Sequence, residues 1–191
     1  MGRPARPARS TAGIATRWPE AQVVALEPSS ESFALLTRNV EGYANIRAVH
    51  AAISDRRAYL RVADEGRQPR GVRTQELEVG EAEDGEPSGP APEGMACSVT
   101  VPDLVAACPE AELFIVKIDI EGFERELFRS NHDWADAAPL VVFEPHDWLI
   151  PFGGTGHTVF SALAGAPRDY LMRGENVFAF SVPLLKPFAE G

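Results

Sequence analysis

Apolar residues recur along the chain in short runs that end at turn-forming residues, a pattern that predicts strands alternating with helices. The first run, 22–27 (QVVALE), predicts a strand, and the serines after Pro28 predict the start of a helix that continues to about Glu41. Residues 45–53 predict a second strand and residues 58–62 a short third one. The first part of the chain is therefore expected to have the order β-α-β-β.

The middle of the chain repeats this alternation. Strands are predicted at 97–101, 113–118 and 140–144, a short helix from Thr100 through Ala107, and a further helix at 121–130. The short helix begins with a capping box, Thr100-Val101-Pro102-Asp103. Two of the strands, 113–118 and 140–144, are apolar on both faces, as in parallel sheets covered by helices. We therefore predict a doubly wound, mostly parallel α/β sheet with strand 113–118 near its centre.

The C-terminal part predicts a helix at 158–164 and an antiparallel hairpin at the sheet edge. The hairpin strands are 169–173 and 176–181, on either side of Gly174-Glu175. Residues 183–191 are interpreted as a tail.

Length and composition predict one domain over residues 13–182. The 191 residues are 45% hydrophobic, enough for one sizeable core. Residues 63–94, rich in Gly, Pro and Glu, are interpreted as an acidic surface-loop insert. Residues 1–12 are interpreted as disordered or wrongly begun sequence, because Pro4 and Pro7 lack amide donors.

Charge excludes some classes of partner. The net charge is −10, and the acidic residues between Thr74 and Val116, where there is no Lys or Arg, account for it. A chain without a basic stripe is unsuited to nucleic acid. No apolar run approaches the roughly 18 residues that span a bilayer, so we expect a cytoplasmic protein without a membrane partner. Cys97 and Cys108 are interpreted as ordinary reduced thiols, and no pattern indicates an oligomeric state.

Acidic residues follow the predicted strands, at the sheet edge where α/β proteins bind ligands: Glu27, Asp55, Asp119, and Glu144 with His146. Glu27 can either accept hydrogen bonds from the hydroxyls of a ribose or begin a solvated turn.

Asp119 stands at the end of an apolar strand, where a carboxylate is costly unless it faces a polar cleft. Glu144 and His146 end the next strand, and with strands about 5 Å apart they are expected to converge with Asp119. His146 suits a general base; as a less favoured alternative, the three residues bind a divalent metal. Glu121 and Glu124 are interpreted as complementing a helix N-terminus.

Several segments together resemble the FkbM family of S-adenosylmethionine-dependent methyltransferases. They are Val24-Ala25-Leu26-Glu27-Pro28, Asn39, His50-Ala51-Ala52-Ile53-Ser54-Asp55, Lys117-Ile118-Asp119-Ile120-Glu121-Gly122-Phe123-Glu124, Phe143-Glu144-Pro145-His146-Asp147-Trp148 and Arg173-Gly174-Glu175-Asn176.

The resemblance implies a Rossmann-like methyltransferase sheet and methyl transfer to a hydroxyl of a saccharide or secondary metabolite. It implies that Glu27 holds the ribose of S-adenosylmethionine and that the turn containing Ala52 and Asp55 borders the adenine. Asp119 would face the reactive end of the cofactor, and His146 or Asp119 would be the base.

The chain departs from this family at its start. Such enzymes carry a strand and a D-x-G-x-x-x-G turn some 20 residues before the ribose acid, whereas this chain has GRPARPARS there. The first strand of the sheet is thus expected to be missing, and we predict weak binding of S-adenosylmethionine. The alternatives are a methyltransferase with an unusual or misplaced start, a non-catalytic α/β remnant that binds a partner or glycan, and a metal-dependent enzyme acting on nucleotide sugars.

Overall fold

The computed structural model describes residues 6–62 and 91–189, with side chains from Thr11 onward. These residues form two compact units, 6–62 with 91–111, and 112–189, where the sequence predicts one domain. Each unit is described by itself. Most of the predicted acidic loop, residues 63–90, lies outside the described residues.

The first unit contains three helices and two small sheets among its described residues. In chain order these elements are α1 (Arg6–Arg17), β1 (Val23–Leu26), α2 (Ser30–Val40), β2 (Ile46–Val49), β3 (Ala52–Ile53), β4 (Tyr59–Arg61), β5 (Met95–Val99) and α3 (Val101–Ala106). Strands β1 and β2 pair in parallel. Strand β5 pairs in parallel with β3 and antiparallel with β4.

The strand predicted over 45–53 is two strands that belong to different sheets. Between β2 and β3 the chain turns, and the Ala51 amide donates to the Val49 carbonyl (3.1 Å). Because of this tight turn, β3 does not continue the pairing of β2 with β1 and pairs with β5 instead. The apolar residues run on across the turn, so periodicity alone does not reveal it.

Helix α1 includes residues 6–12, for which the sequence predicts disorder. Pro7 is the second residue of the helix, and amides of the first turn have no intrahelical acceptor, so a proline there removes no helical hydrogen bond. The other end of α1 and the loop after it are held by Asn45, whose Nδ2 donates to the carbonyls of Ala15 (3.2 Å), Trp18 (3.4 Å) and Ala21 (3.1 Å).

Two predicted helix starts are confirmed. The Ser29 hydroxyl accepts from the Ser32 amide (3.4 Å) at the start of α2. At α3 the capping box is complete: Thr100 Oγ1 accepts from the Asp103 amide (3.2 Å), and Asp103 Oδ2 accepts from the Thr100 amide (2.9 Å). The guanidinium of Arg57 also donates to Asp103 (2.6 Å) and, through this hydrogen bond, lowers the pKa of its carboxyl.

The second unit contains one four-stranded sheet with short helices. Its elements are β6 (Ile115–Ile118), α4 (Glu124–Leu127), α5 (Trp134–Ala137), β7 (Leu140–Phe143), α6 (Thr155–Leu163), β8 (Arg168–Arg173), β9 (Asn176–Ser181) and α7 (Val182–Ala189). The strand order is β6-β7-β9-β8; β6 and β7 are parallel and the other pairs antiparallel. The predicted hairpin at the sheet edge is confirmed.

Three features of this unit differ from the sequence expectations. Strand β6 lies at an edge of its sheet instead of near a centre. The helix predicted at 121–130 is only the four residues of α4, because Glu121 (φ 53°) and Gly122 (φ 99°) first turn the chain in the left-handed region. Helix α7 occupies most of the predicted tail.

A half-buried arginine connects α5 to the sheet. The Arg168 guanidinium donates to the carbonyls of Ala138 (3.2 Å), Ala179 (3.1 Å) and Ala135. Burial lowers the pKa of Arg168. The side chain thus links the carbonyl groups of α5 and of the loop after it to β9.

The chain has a mixed α/β fold with parallel and antiparallel sheets, and three of its six described strand pairings are parallel. The α/β class expected from the sequence is therefore confirmed, while the single doubly wound sheet stays a prediction. None of the helices in this part of the chain is long and apolar enough to cross a membrane.

Candidate functional site

The ends of β6 and β7 bring together three residues that the sequence predicts to converge. Ile118 and Phe143 are register partners at the ends of these parallel strands, and the Glu144 amide donates to the Ile118 carbonyl (3.2 Å). Asp119, Glu144 and His146 each offer a side-chain oxygen or nitrogen, and the three atoms lie within 4.8 Å of one another. We call these three residues the strand-end cluster.

His146 is buried, at 1% exposure, and its ring is held from one side. Its Nδ1 lies 2.8 Å from Glu124 Oε1, and because a carboxylate oxygen accepts, Nδ1 is the donor. On the other side Nε2 lies 3.7 Å from Glu121 Oε2 and 3.8 Å from Glu144 Oε1. Both distances are too long for a hydrogen bond. Glu124 therefore fixes the ring so that Nε2 is the nitrogen available for chemistry.

Glu124 is the residue of this site whose role sequence reasoning missed. Glu124 stands in the first turn of α4, as the sequence predicts, but its side chain is also fully buried and bonds to His146. Besides His146, its Oε1 accepts from the Ile120 amide (3.3 Å), while Oε2 has no hydrogen-bond partner among the described residues. A sequence signal was present: Glu124, Leu127 and Phe128 have the spacing of one helix face, and all three are buried.

Negative charge is concentrated around His146. Burial and the neighbouring Asp119 carboxylate raise the pKa of Glu144. Burial alone would lower the pKa of His146, but the hydrogen bond to Glu124 and the carboxylates around the ring outweigh it and raise that pKa. Lys117 Nζ lies 3.0 Å from Asp119 Oδ2 and offsets part of the charge.

The rim of the cluster has one exposed aromatic ring and one tightly packed glycine. The side chain of Trp148 is 69% exposed, and its ring centroid lies 6.2 Å from that of His146. A Cβ atom on Gly122 would approach Ile150 Cδ1 to 2.8 Å, in a backbone conformation that already favours glycine. Glycine therefore allows the chain to pass closely beneath Ile150 as it leaves β6.

The residues predicted to bind the cofactor fall in both units. Asp119 belongs to the second, whereas Glu27, Ala52 and Asp55 belong to the first. Glu27 is half-buried directly after β1, and its Oε1 accepts from the Ser29 amide (3.0 Å), the contact expected of a residue that begins a turn.

Ala52 and Asp55 were predicted to border the adenine. Ala52 is half-buried in β3. Asp55 is buried, and its Oδ1 accepts from the Ser54 hydroxyl (3.3 Å) and lies 3.6 Å from Arg56 Nη1. The Asp55 carboxylate is thus engaged by its own turn.

Comparison with protein-family models, curated proteins and solved structures finds no match for this chain.

Proposed function

We propose that this chain is an S-adenosylmethionine-dependent methyltransferase of Rossmann-like fold that acts on a hydroxyl oxygen of a saccharide or secondary metabolite. The observation that carries the proposal is the buried Glu124–His146 pair (2.8 Å) at the ends of two adjacent parallel strands. Ligands of α/β proteins bind at this end of the strands. The resemblance of the segments around Asp119 and His146 to FkbM enzymes supplies the reaction class.

The strand-end cluster has the groups that a hydroxyl acceptor needs. Asp119 is exposed and Glu144 half-buried, so both carboxylates can accept hydrogen bonds from a polyhydroxylated molecule. Trp148 presents an exposed aromatic face beside them, suited to the apolar face of a sugar ring. The work of these residues is to position one oxygen and to favour loss of its proton.

S-adenosylmethionine would supply the activated methyl group. Glu27 is the right type of residue at the right end of a parallel strand to hold the cofactor ribose. By contrast, the sequence before Gly42 has no D-x-G-x-x-x-G turn for the methionine part of the cofactor. Glu27 thus fits one part of the cofactor, and weak binding by this chain stays a prediction.

The second candidate function is a non-catalytic α/β module that binds a glycan or a partner. The contacts of Glu27 and Asp55 within their own turns favour it. Only the enzyme is expected to transfer a methyl group, so a methyl-transfer assay distinguishes the two functions. The full chain is incubated with millimolar tritiated-methyl S-adenosylmethionine and a panel of saccharides, alongside the Asp119→Asn and Glu124→Gln variants. The proposal expects the parent chain to transfer methyl slowly to a hydroxyl group, and it expects neither variant to do so.

Calorimetric titration of S-adenosylmethionine into the same protein checks the cofactor separately. The enzyme proposal expects weak binding that Glu27→Ala abolishes. If the folded chain neither binds the cofactor nor transfers methyl at millimolar concentration, the binding-module function replaces the enzyme.

A further inference from the structure

We propose that Asp119, Glu144 and His146 form a binding site for one divalent transition-metal ion. Their candidate ligand atoms lie within 4.8 Å of one another. Ligand atoms bound to one ion through bonds of about 2.0–2.2 Å lie about 3.0–4.4 Å apart, so side-chain shifts of about 1 Å would close the cluster around an ion.

The state of His146 is an independent indication of a ligand. The side chain is 1% exposed, and among the described residues carboxylate oxygens of Glu121 (3.7 Å) and Glu144 (3.8 Å) lie near Nε2, beyond hydrogen-bond distance. A cation between Nε2 and these oxygens would bind the ring nitrogen and the carboxylates together.

Glu124 provides the support that metal-bound histidines characteristically have. It accepts the hydrogen bond from Nδ1 (2.8 Å), which fixes the tautomer that leaves Nε2 to bind a metal. The second oxygen of this buried carboxylate has no hydrogen-bond partner among the described residues. A carboxylate buried so completely is costly, and a metal ion bound to the ring would reduce that cost.

The charges around the ring also favour a cation. Four carboxylates surround or adjoin it, those of Asp119, Glu121, Glu124 and Glu144. Among the described residues, the cation that pairs with one of them is Lys117, 3.0 Å from Asp119 Oδ2. A divalent ion would offset the remaining negative charge. Lys117 would compete with the ion for Asp119, so the site should bind metal more tightly without it.

The ligand types narrow the choice of ion. Mg²⁺ and Ca²⁺ prefer oxygen ligands throughout, whereas one imidazole with two carboxylates suits Mn²⁺, Fe²⁺ or Zn²⁺. The exposed position of Asp119 leaves coordination positions open to solvent or to a hydroxyl group. In this role His146 is a ligand and not the base predicted from the sequence, and the ion would make a bound hydroxyl lose its proton more readily.

The test is a titration of the purified full chain with Mn²⁺ alone, read from the electron paramagnetic resonance signal of the free ion. We expect one Mn²⁺ per chain, displaced by Zn²⁺. Glu124→Gln should weaken binding about 10–100-fold, as is usual for a residue that orients a ligand. Asp119→Asn and Glu144→Gln remove ligands and should weaken it further, while Lys117→Gln should strengthen it.

The matched control is Asp169→Asn. Through the register of β8, β9 and β7, Asp169 aligns with Leu140, at the opposite end of the sheet from the cluster. This variant should bind Mn²⁺ like the parent chain.

Two results would overturn the proposal: no loss of free Mn²⁺ signal at millimolar protein that circular dichroism shows to be folded, or equal affinity in Asp119→Asn and the parent. Asp119 is exposed, so its variant is expected to fold. The titration contains no S-adenosylmethionine, and its outcome is separate from that of the methyl-transfer assay.

Discussion

The buried pair of Glu124 and His146 gives a quantitative prediction about stability. We consider Glu124→Met, His146→Leu and the double variant, measured with EDTA present so that only protein contacts contribute. Each substitution replaces one polar partner by an apolar side chain and leaves the other in the interior.

The expected magnitudes follow from burial and distance. Glu124 is 0% and His146 1% exposed, so water does not screen their 2.8 Å contact. Removing one partner of a buried charged pair costs about 3–5 kcal/mol, because the other is left unpaired. Replacing both leaves no unpaired partner within the pair. The double variant should therefore cost less than the sum of the single ones by about 2–3 kcal/mol.

The assay is urea unfolding followed by far-ultraviolet circular dichroism and by tryptophan fluorescence. Trp134 is buried in the second unit and packs against Phe128 at 5.5 Å between ring centroids, so its emission reports on this unit. The matched control is Glu126→Met in the same short helix. Glu126 pairs with Arg129, whose side chain is 46% exposed, so water screens the pair and its loss should cost about 1 kcal/mol or less.

Two outcomes would refute this reasoning. If the costs of the single variants add in the double variant to within about 0.5 kcal/mol, the two side chains are not coupled. If Glu124→Met costs no more than Glu126→Met, the carboxylate is not buried as described.

Three further substitutions test other parts of the structure. Asp103→Asn should cost about 1–2 kcal/mol near neutral pH through loss of its cap and ion pair. In urea unfolding its effect should begin to shrink as pH falls below about 4 and be lost only at much lower pH, because acid removes this stabilisation from the parent as pH falls towards the lowered folded-state pKa. A pH-independent effect would contradict the assignment. Gly122→Ala should lower the free energy of unfolding by about 1–3 kcal/mol, and with it the melting temperature, through strain against Ile150. Gly13→Ala, with nothing within 4 Å of its Cβ, should not lower the melting temperature. Arg168→Lys should cost about 2–3 kcal/mol in the same unfolding assay, because a lysine cannot reach all three carbonyls; an unchanged midpoint would exclude the bridging role.

Local patterns in the sequence predicted several elements well. The apolar run before Glu27, the capping box at Thr100 and the turn at Gly174-Glu175 each predict a structure that forms there. Each of these signals depends only on residues within one turn or strand, so residues that are neighbours in the sequence determine the structure that forms. The positions of acids just after strands follow from the same local reasoning, and Asp119, Glu144 and His146 do come together.

Contacts distant in sequence decided the rest. Glu124 begins a helix, and helix starts favour acids at the surface; its burial depends on His146, 22 residues later. Likewise the split of 45–53 into two strands depends on β5, which lies beyond residues 63–90. The sequence by itself determined which segments form strands and which carboxylates follow them. Only the tertiary structure decided which carboxylate faces inward, because a buried charge is tolerated only where another part of the chain supplies its partner.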